Sequence, residues 1–432
     1  MFSPQDQVRI ISSSTTFYPI DSRGDIGLTL INSIAFLQEN FKENIESFTA
    51  EDQIVVLQTW NGLLFTITSP KTYSEEILRF ALQIIKDTAA FLFGPHFETT
   101  MSNNISQALR ELYAKYIEKF FALANKDYKF LLMIPPMDFT YSKLNSQLKD
   151  LARNDVVGIN ETFVECIIFK NHKIISRFSR GENPVLELSD IFQLCLLEQV
   201  VYPDEVEASQ LTMSHLKIHL KSEGQIQPFI VSSGKCGSCV IIIISNINQI
   251  KQEDKDRIQK IGQQINLIVV SSNSEQSTIP ESFQITGLLH YILINRTTGE
   301  VYETQQQLKS QQDPKWVTLK EKLKRKMSSV AIQAAVTGSP AVIRNEMVFQ
   351  YTYDLIFINK KQKEVIPKSV PPTVFGDRSG LSWKQLAADA VQEDNVMCYE
   401  MLACYLGVMN TADVIKANTH LFKTITGIKR SP

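Results

Sequence analysis

Hydrophobic and polar positions along the chain change period in a repeating order. Val8–Ser12 and Phe17–Ile20 read as short strands joined by a tight connection. Leu28–Phe41 then carries Leu30, Ile31, Ile34, Phe36, Leu37 and Phe41 at helical spacing. Ile54–Leu57 and Leu63–Ile67 flank Asn61-Gly62, a dipeptide that supplies the two positive φ angles of a two-residue hairpin turn. Thr72 and Glu75 form a capping box for a helix whose apolar positions run from Ile77 to Leu92 and stop at Gly94-Pro95. A second helix is expected from about Asn103 to Leu123, and Pro135-Pro136 closes this first pass as an extended connector.

The order then recurs. A helix entry at Tyr141–Ala152 leads to a hairpin, Phe163–Phe169 and Lys173–Phe178, turning at Asn171-His172. A helix is expected at Leu186–Val201, strands at Leu211–Leu220, Phe229–Ser232 and Val240–Ile244, then a helix at Asp254–Ile265 running into a strand at Leu267–Val270. Ser271–Pro280 reads as a polar linker. A third pass opens with Ile285–Asn295 and Val301–Thr304 across Thr298-Gly299. It continues with a Trp316–Ala335 helix, strands at Val348–Ile358 and about Cys398–Leu406, and a closing helix at Thr411–Thr426. Each pass takes about 140 residues, a common size for one domain. The pattern therefore predicts an α+β chain of three consecutive units, at residues 1–134, 135–275 and 280–432. Glu364–Ala390, with Pro367, Pro371, Pro372 and Gly376, departs from the repeat and is expected to be an inserted loop.

Composition changes this picture little, but it narrows the function. The chain has 432 residues, of which 44% are hydrophobic and 21% charged, ordinary for a globular protein. Its 17 glycines and 16 prolines fall below average usage, which favours long regular elements. Lys and Arg number 44 against 46 Asp and Glu, so no bulk field draws the chain to nucleic acid. The start carries no basic region followed by an apolar run, and the greasiest runs fall short of the ~18–20 residues of a spanning helix. Six scattered cysteines make no disulfide framework, so a cytosolic protein with reduced thiols is expected.

Candidate chemistry is sparse. Phosphate-binding, dinucleotide-binding, hydrolase-elbow and zincin motifs are missing, and no catalytic residue, metal or cofactor is expected. Cys236-Gly-Ser-Cys239 has C-x-x-C spacing but precedes a strand rather than opening a helix, so it reads as a hairpin turn. His215 and His219 fall on an alternating strand, ~13 Å apart, too far for one metal ion, and are expected to be exposed. Lys322, Lys324, Arg325 and Lys326, with Lys315 and Lys320, form the one dense basic cluster. It suits phosphoinositide headgroups at ~1 kcal/mol per cation, or simply a solvated helix face above Trp316, Leu319, Leu323 and Met327. What remains is an interaction protein that works through helix faces and sheet edges.

Three stretches carry a family resemblance. Ile10–Ser14 with Tyr18-Pro19-Ile20-Asp21-Ser22-Arg23-Gly24 resembles the first hairpin of the Fuzzy family of planar-cell-polarity effectors. Val55–Thr68, the helix ending at Gly94, Leu132–Pro136 and Phe163–Ile168 follow that family's order. Ile279-Pro280 with Ile285–Ile292 resembles the opening strand of its third unit. The Mon family of vacuolar fusion shares the plan, but its usual long acidic amino-terminal extension is missing here, which favours Fuzzy. The resemblance implies three longin domains, an Inturned-like tri-longin partner, and guanine-nucleotide exchange on a Rab-type small GTPase in cilium assembly and vesicle trafficking. It implies a cytoplasmic protein at the ciliary basal body. A Mon-like reading would instead imply a Ccz-type partner and an endosome surface, and a third reading is a trafficking adaptor without exchange activity. In related exchange dimers the first longin domains pair and present their first helices to the GTPase. Here that helix is Leu28–Phe41, and Asn32, Gln38, Glu39 and Asn40 are the contact candidates, although a solvated face accounts for them equally.

Overall fold

A computed structural model describes residues 8–12, 16–19, 32–34, 36, 39–40, 45–50, 52–60, 63–70, 75–97, 105–126, 130, 133–136, 163–179, 186–203, 211–222, 225–246, 251–271, 285–295, 301–303, 341–344, 347–358, 363–366 and 396–428. The fold is α+β, with three antiparallel sheets.

The first sheet holds β1 (Val8–Ile11), β2 (Thr16–Tyr18), β3 (Ser47–Ala50), β4 (Gln53–Trp60) and β5 (Leu63–Pro70) in the order β2-β1-β5-β4-β3. Asn61 and Gly62 lie outside the described residues, but Trp60 pairs with Leu63, so the strands are joined by the two-residue loop that the sequence predicts. The second sheet holds β6 (Phe163–Lys170), β7 (Lys173–Ser179), β8 (Ser214–Ser222), β9 (Gln225–Cys236) and β10 (Cys239–Ser245), ordered β7-β6-β10-β9-β8. Asn171 and His172 take φ of 50° and 60° in the β6–β7 turn, the pair of left-handed residues that a twist-matched hairpin needs. The third sheet orders β11 (Leu288–Asn295), β12 (Val301–Glu303), β13 (Ala341–Arg344), β14 (Met347–Ile358) and β16 (Val396–Leu406) as β12-β11-β16-β14-β13. β15 (Lys363–Ile366) adds to β14, so the segment expected to be an inserted loop begins as a strand. Numbered within its own unit, and with β15 set aside, each sheet has the same strand order, 2-1-5-4-3.

Helices fill repeated places as well. Residues 32–34, 36 and 39–40 are helical between β2 and β3. After β5 come α1 (Glu75–Phe93) and α2 (Gln107–Lys126). α3 (Leu188–Val201) connects β7 to β8, α4 (Gln252–Ser271) follows β10, and α5 (Thr411–Thr426) follows β16. α5 has the bounds read from the sequence. Asn410 Oδ1 accepts from the Asp413 N–H at 2.8 Å, and Gly427 closes the helix at φ 71°. The helices expected at Tyr141–Ala152 and Trp316–Ala335 lie outside the described residues.

One expectation is corrected in α4. Leu267–Val270 is the end of that helix and not a strand. Ile258, Ile261, Ile265 and Val269 are buried at helical spacing against Ile168, Ile241 and Ile243 of the second sheet, while Leu267 is 69% exposed. A short apolar run can be read with either period, and here the residues before it set the helical phase.

The core passes through the second sheet. Cys166, Ile168, Ile241 and Ile243 face α4, whereas Ile167, Phe169, Ile242 and Ile244 join a cluster with α1, α2 and α3. Both faces are thus covered, which is why β10 is an unbroken apolar run. The same cluster takes Val8, Phe65 and Ile67 from the first sheet and Ile292, Ile294 and Leu402 from the third, so a single apolar core spans the three sheets.

The α4 assignment has a direct consequence. Ile265→Ala should lower the unfolding free energy by ~2–5 kcal/mol, whereas Leu267→Gln should change it by less than about 0.5 kcal/mol, measured as urea midpoints. Comparable losses at both positions would instead mean that this segment is buried on alternate faces.

Candidate functional surface

The helix between β2 and β3 rests on the first sheet through Ile34, which packs with Leu57 and Leu64 and against Ile45 and Val55. Val56 and Phe65 point to the other face, into the layer that holds α1 and α2. Asn32, Ser33, Glu39 and Asn40 are exposed, as three of the four contact candidates require; Gln38 lies outside the described residues. Phe36, expected in the apolar stripe, is instead 63% exposed. Two residues from Ile34 is about 200° around a helix, so with Ile34 on the sheet Phe36 must point away from it. Asn40 Nδ2 donates to the Phe36 carbonyl at 2.7 Å and ties down the backbone beneath the ring. Beside this helix runs β3, an edge strand whose Phe48 is also exposed. Glu46, just before β3, pairs with Arg79 of α1, which also binds Glu75 through Nε at 2.8 Å. The Arg79 hydrogen bond holds the Glu75 carboxyl below its ordinary range.

α3 occupies the same place in the second unit, between its second and third strands, yet every residue from Asp190 to Gln199 is buried. α1 and α2 of the first unit cover it. Phe130 packs on Phe192 with ring centroids 6.0 Å apart, and Thr88 Oγ1 lies 3.1 Å from Gln193 Oε1. α1 also runs along the edge strand β8. There His219, expected to be exposed, is half-buried over the end of α1. A Cβ at Gly94, itself at φ 95°, would stand 2.9 Å from its Nε2. Burial first, then Lys217, pulls this imidazole below its ordinary pKa, against a hydrogen bond with the Phe91 backbone. His215, also expected to be exposed, is half-buried, with Nδ1 2.8 Å from Ser232 Oγ. At His219 the end of α1 covers a position that alternation assigns to solvent, while Lys217 on the same strand face stays exposed.

Several charged groups are enclosed at this joint. Lys86 of α1 stands 3.3 Å above the Trp60 ring and donates to Gln83 Oε1 at 3.1 Å, and burial draws its pKa down to about 8. Glu198 meets His172 Nδ1 at 2.9 Å across the β6–β7 turn; burial still raises the carboxyl, against the pull of His172. Glu165 is fully buried and pairs with Arg177, whose Nη2 also donates to the Leu186 carbonyl at 2.9 Å and so fixes the entry to α3. Asp190 accepts from the Lys221 N–H at 3.2 Å through Oδ1. Burial first, then Glu187, pushes its pKa up to about 8.

The basic positions Lys322, Lys324, Arg325 and Lys326 lie outside the described residues. Cys236 and Cys239 flank a hairpin turn, as their spacing suggests, with Gly237 at φ 56°. Among the described residues no three His, Cys, Asp or Glu side chains stand together as a metal site, and no helix is long and apolar enough to cross a membrane. No protein-family model matches the chain, and no curated protein matches it.

Asp190 makes the joint sensitive to pH. Its folded pKa of about 8 lies above the ordinary ~3.9 of an unfolded aspartate. The folded state therefore holds the proton more tightly, and this contribution is full below pH ~4 and fades as pH rises through about 8. Asp190→Asn should match the wild-type chain in stability near pH 4 and exceed it by on the order of a few kcal/mol near pH 8, by denaturant titration at each pH. A difference that stays constant with pH would show that the carboxyl is ionised in the folded protein throughout.

Proposed function

We propose that the chain is a tri-longin subunit of the Fuzzy type, which pairs with an Inturned-like partner at the basal body and promotes nucleotide exchange on a Rab-type GTPase. The observation that carries this reading is the strand order 2-1-5-4-3 in three sheets, each an antiparallel sheet backed by helices, as the resemblance implies. The uneven use of one repeated helix supports it too: α3 is enclosed within the chain, while its counterpart at residues 32–40 presents Asn32, Phe36, Glu39 and Asn40 to solvent. An exposed aromatic ring set among polar side chains beside an edge strand is a fitting surface for a protein partner.

Exchange of this kind needs no covalent catalyst. The exchanger binds the nucleotide-free GTPase more tightly than the loaded form, remodels the switch segments, and so shifts the population toward release. Asn32, Gln38, Glu39 and Asn40 supply polar contacts to a switch segment, and Phe36 supplies apolar area in their midst.

Two measurements test the proposal. The chain purified with its copurifying partner should accelerate release of labelled GDP from at least one Rab-type GTPase; an intact complex that accelerates none would leave a non-catalytic adaptor. A partner carrying an amino-terminal PDZ-like module fits the Fuzzy reading, whereas a Ccz-type partner would place the chain with Mon. Phe36→Asp should weaken capture of the partner or the GTPase tenfold or more while leaving the thermal midpoint unchanged, because the side chain is exposed.

A further inference from the structure

The β9–β10 hairpin turns through Gly237-Ser238, and its register sets Cys236 directly opposite Cys239. Facing residues of two antiparallel strands project to the same side of the sheet. Both belong to the apolar layer beneath α4, where Cys239 is buried beside Ile241, Ile258 and Ile261 and Cys236, less buried, packs against it. Residues that close a two-residue hairpin form a hydrogen-bonded pair with Cα atoms ~5.5 Å apart. That spacing lies inside the ~4.4–6.8 Å that a disulfide bridges. In the structure both are reduced thiols.

The surroundings favour reaction at this pair over the other described cysteines. Lys170 faces Cys239 from β6, and the Ser238 hydroxyl hydrogen-bonds its sulfur; both favour the thiolate, against the stronger effect of burial. Cys166 and Cys195 are fully enclosed, and burial, aided by the neighbouring Glu165 and Glu198, raises their thiols well above the ordinary range, while burial pushes the Cys404 thiol up to about 12.

We propose that Cys236 and Cys239 are a reversible dithiol–disulfide couple that exchanges with a small disulfide such as oxidised glutathione. The Cys236 thiolate attacks one sulfur of glutathione disulfide, forming a mixed disulfide and expelling one glutathione thiolate. Cys239, as its thiolate, then attacks the Cys236 sulfur, forming the protein disulfide and expelling the second glutathione. The two protons lost by the cysteines go to the two glutathione thiolates, and the protein is oxidised by two electrons as glutathione disulfide is reduced. The ring closed by the bond is very short and gains little loop-closure entropy, so the bond is poised to reopen. The turn it staples also receives the Asn171 N–H at the Ser238 carbonyl, 3.1 Å, and His172 next to it pairs with Glu198, which links the couple to the end of α3.

The test equilibrates the full chain with glutathione buffers from reducing to oxidising, traps remaining thiols with N-ethylmaleimide, and maps them by peptide mass spectrometry. Circular dichroism follows the fold in parallel. The expected result is a Cys236–Cys239 peptide lighter by two hydrogens in the oxidising buffers, reverting in reduced glutathione, with the native spectrum kept. Cys239→Ser should stop at a glutathione adduct on Cys236, and Cys236→Ser should leave Cys239 reduced. A wild-type chain that keeps both thiols, stops at the adduct, or forms the bond only on losing its native spectrum would overturn the proposal.

Discussion

A helix that is apolar on every side must be enclosed on every side, and α3 imposes that requirement on the chain. From Asp190 to Gln199 none of its residues reaches solvent, so the second sheet alone cannot cover it. The far side is filled by α1 and α2 of the first unit, with Thr88 of α1 beside Gln193, and by Phe130, just beyond α2, on Phe192. The first unit's helices thus serve two sheets at once, since Val56, Phe65 and Ile67 lie in the same cluster as Ile242 and Ile244. Enclosure has a cost: Asp190, Gln193 and Glu198 are buried with the helix. His172 offsets part of the cost at Glu198, and burial raises the pKa of both Glu198 and Asp190.

Repetition gives that asymmetry its meaning. The three sheets share one strand order, so equivalent places in different units can be compared residue by residue. The helix between the second and third strands is a spacer inside the molecule in one unit and a surface in another. The difference lies in what meets it from outside its own unit: Phe192 and Gln193 of α3 lie against Phe130 and Thr88, whereas Asn32, Glu39 and Asn40 are open around residues 32–40. Phe36 breaks the polar character of that surface, and an exposed ring there is the kind of residue that anchors an interface.

The sequence was most legible where local rules act alone. Asn171-His172 needed only turn geometry, and the spacing of the closing segment gave α5 its bounds, Thr411–Thr426. The β10 run Val240–Ile244 was legible because two covered faces leave no polar alternation. Legibility failed where a distant segment decides the outcome. His219 follows the alternation of β8, but α1 from another unit lies over its ring. Leu267–Val270 is short enough to fit either period, and Phe36, though apolar, sits two residues from Ile34 and so on the side of the helix turned away from the sheet. The enclosed charges Glu165 and Asp190 carried no signal in sequence, because a buried carboxylate differs from a solvated one only by partners brought together in the fold.

Hydrogen–deuterium exchange of the chain alone and in complex with its partner tests the central claim most directly, that one copy of the repeated helix is enclosed within the chain and the other is left for a partner. The account predicts that peptides covering α3 are strongly protected in both states, while peptides covering residues 32–40 and 45–50 exchange readily alone and become protected in the complex. Rapid exchange in α3 of the isolated chain, or partner protection that bypasses residues 32–50, would contradict it.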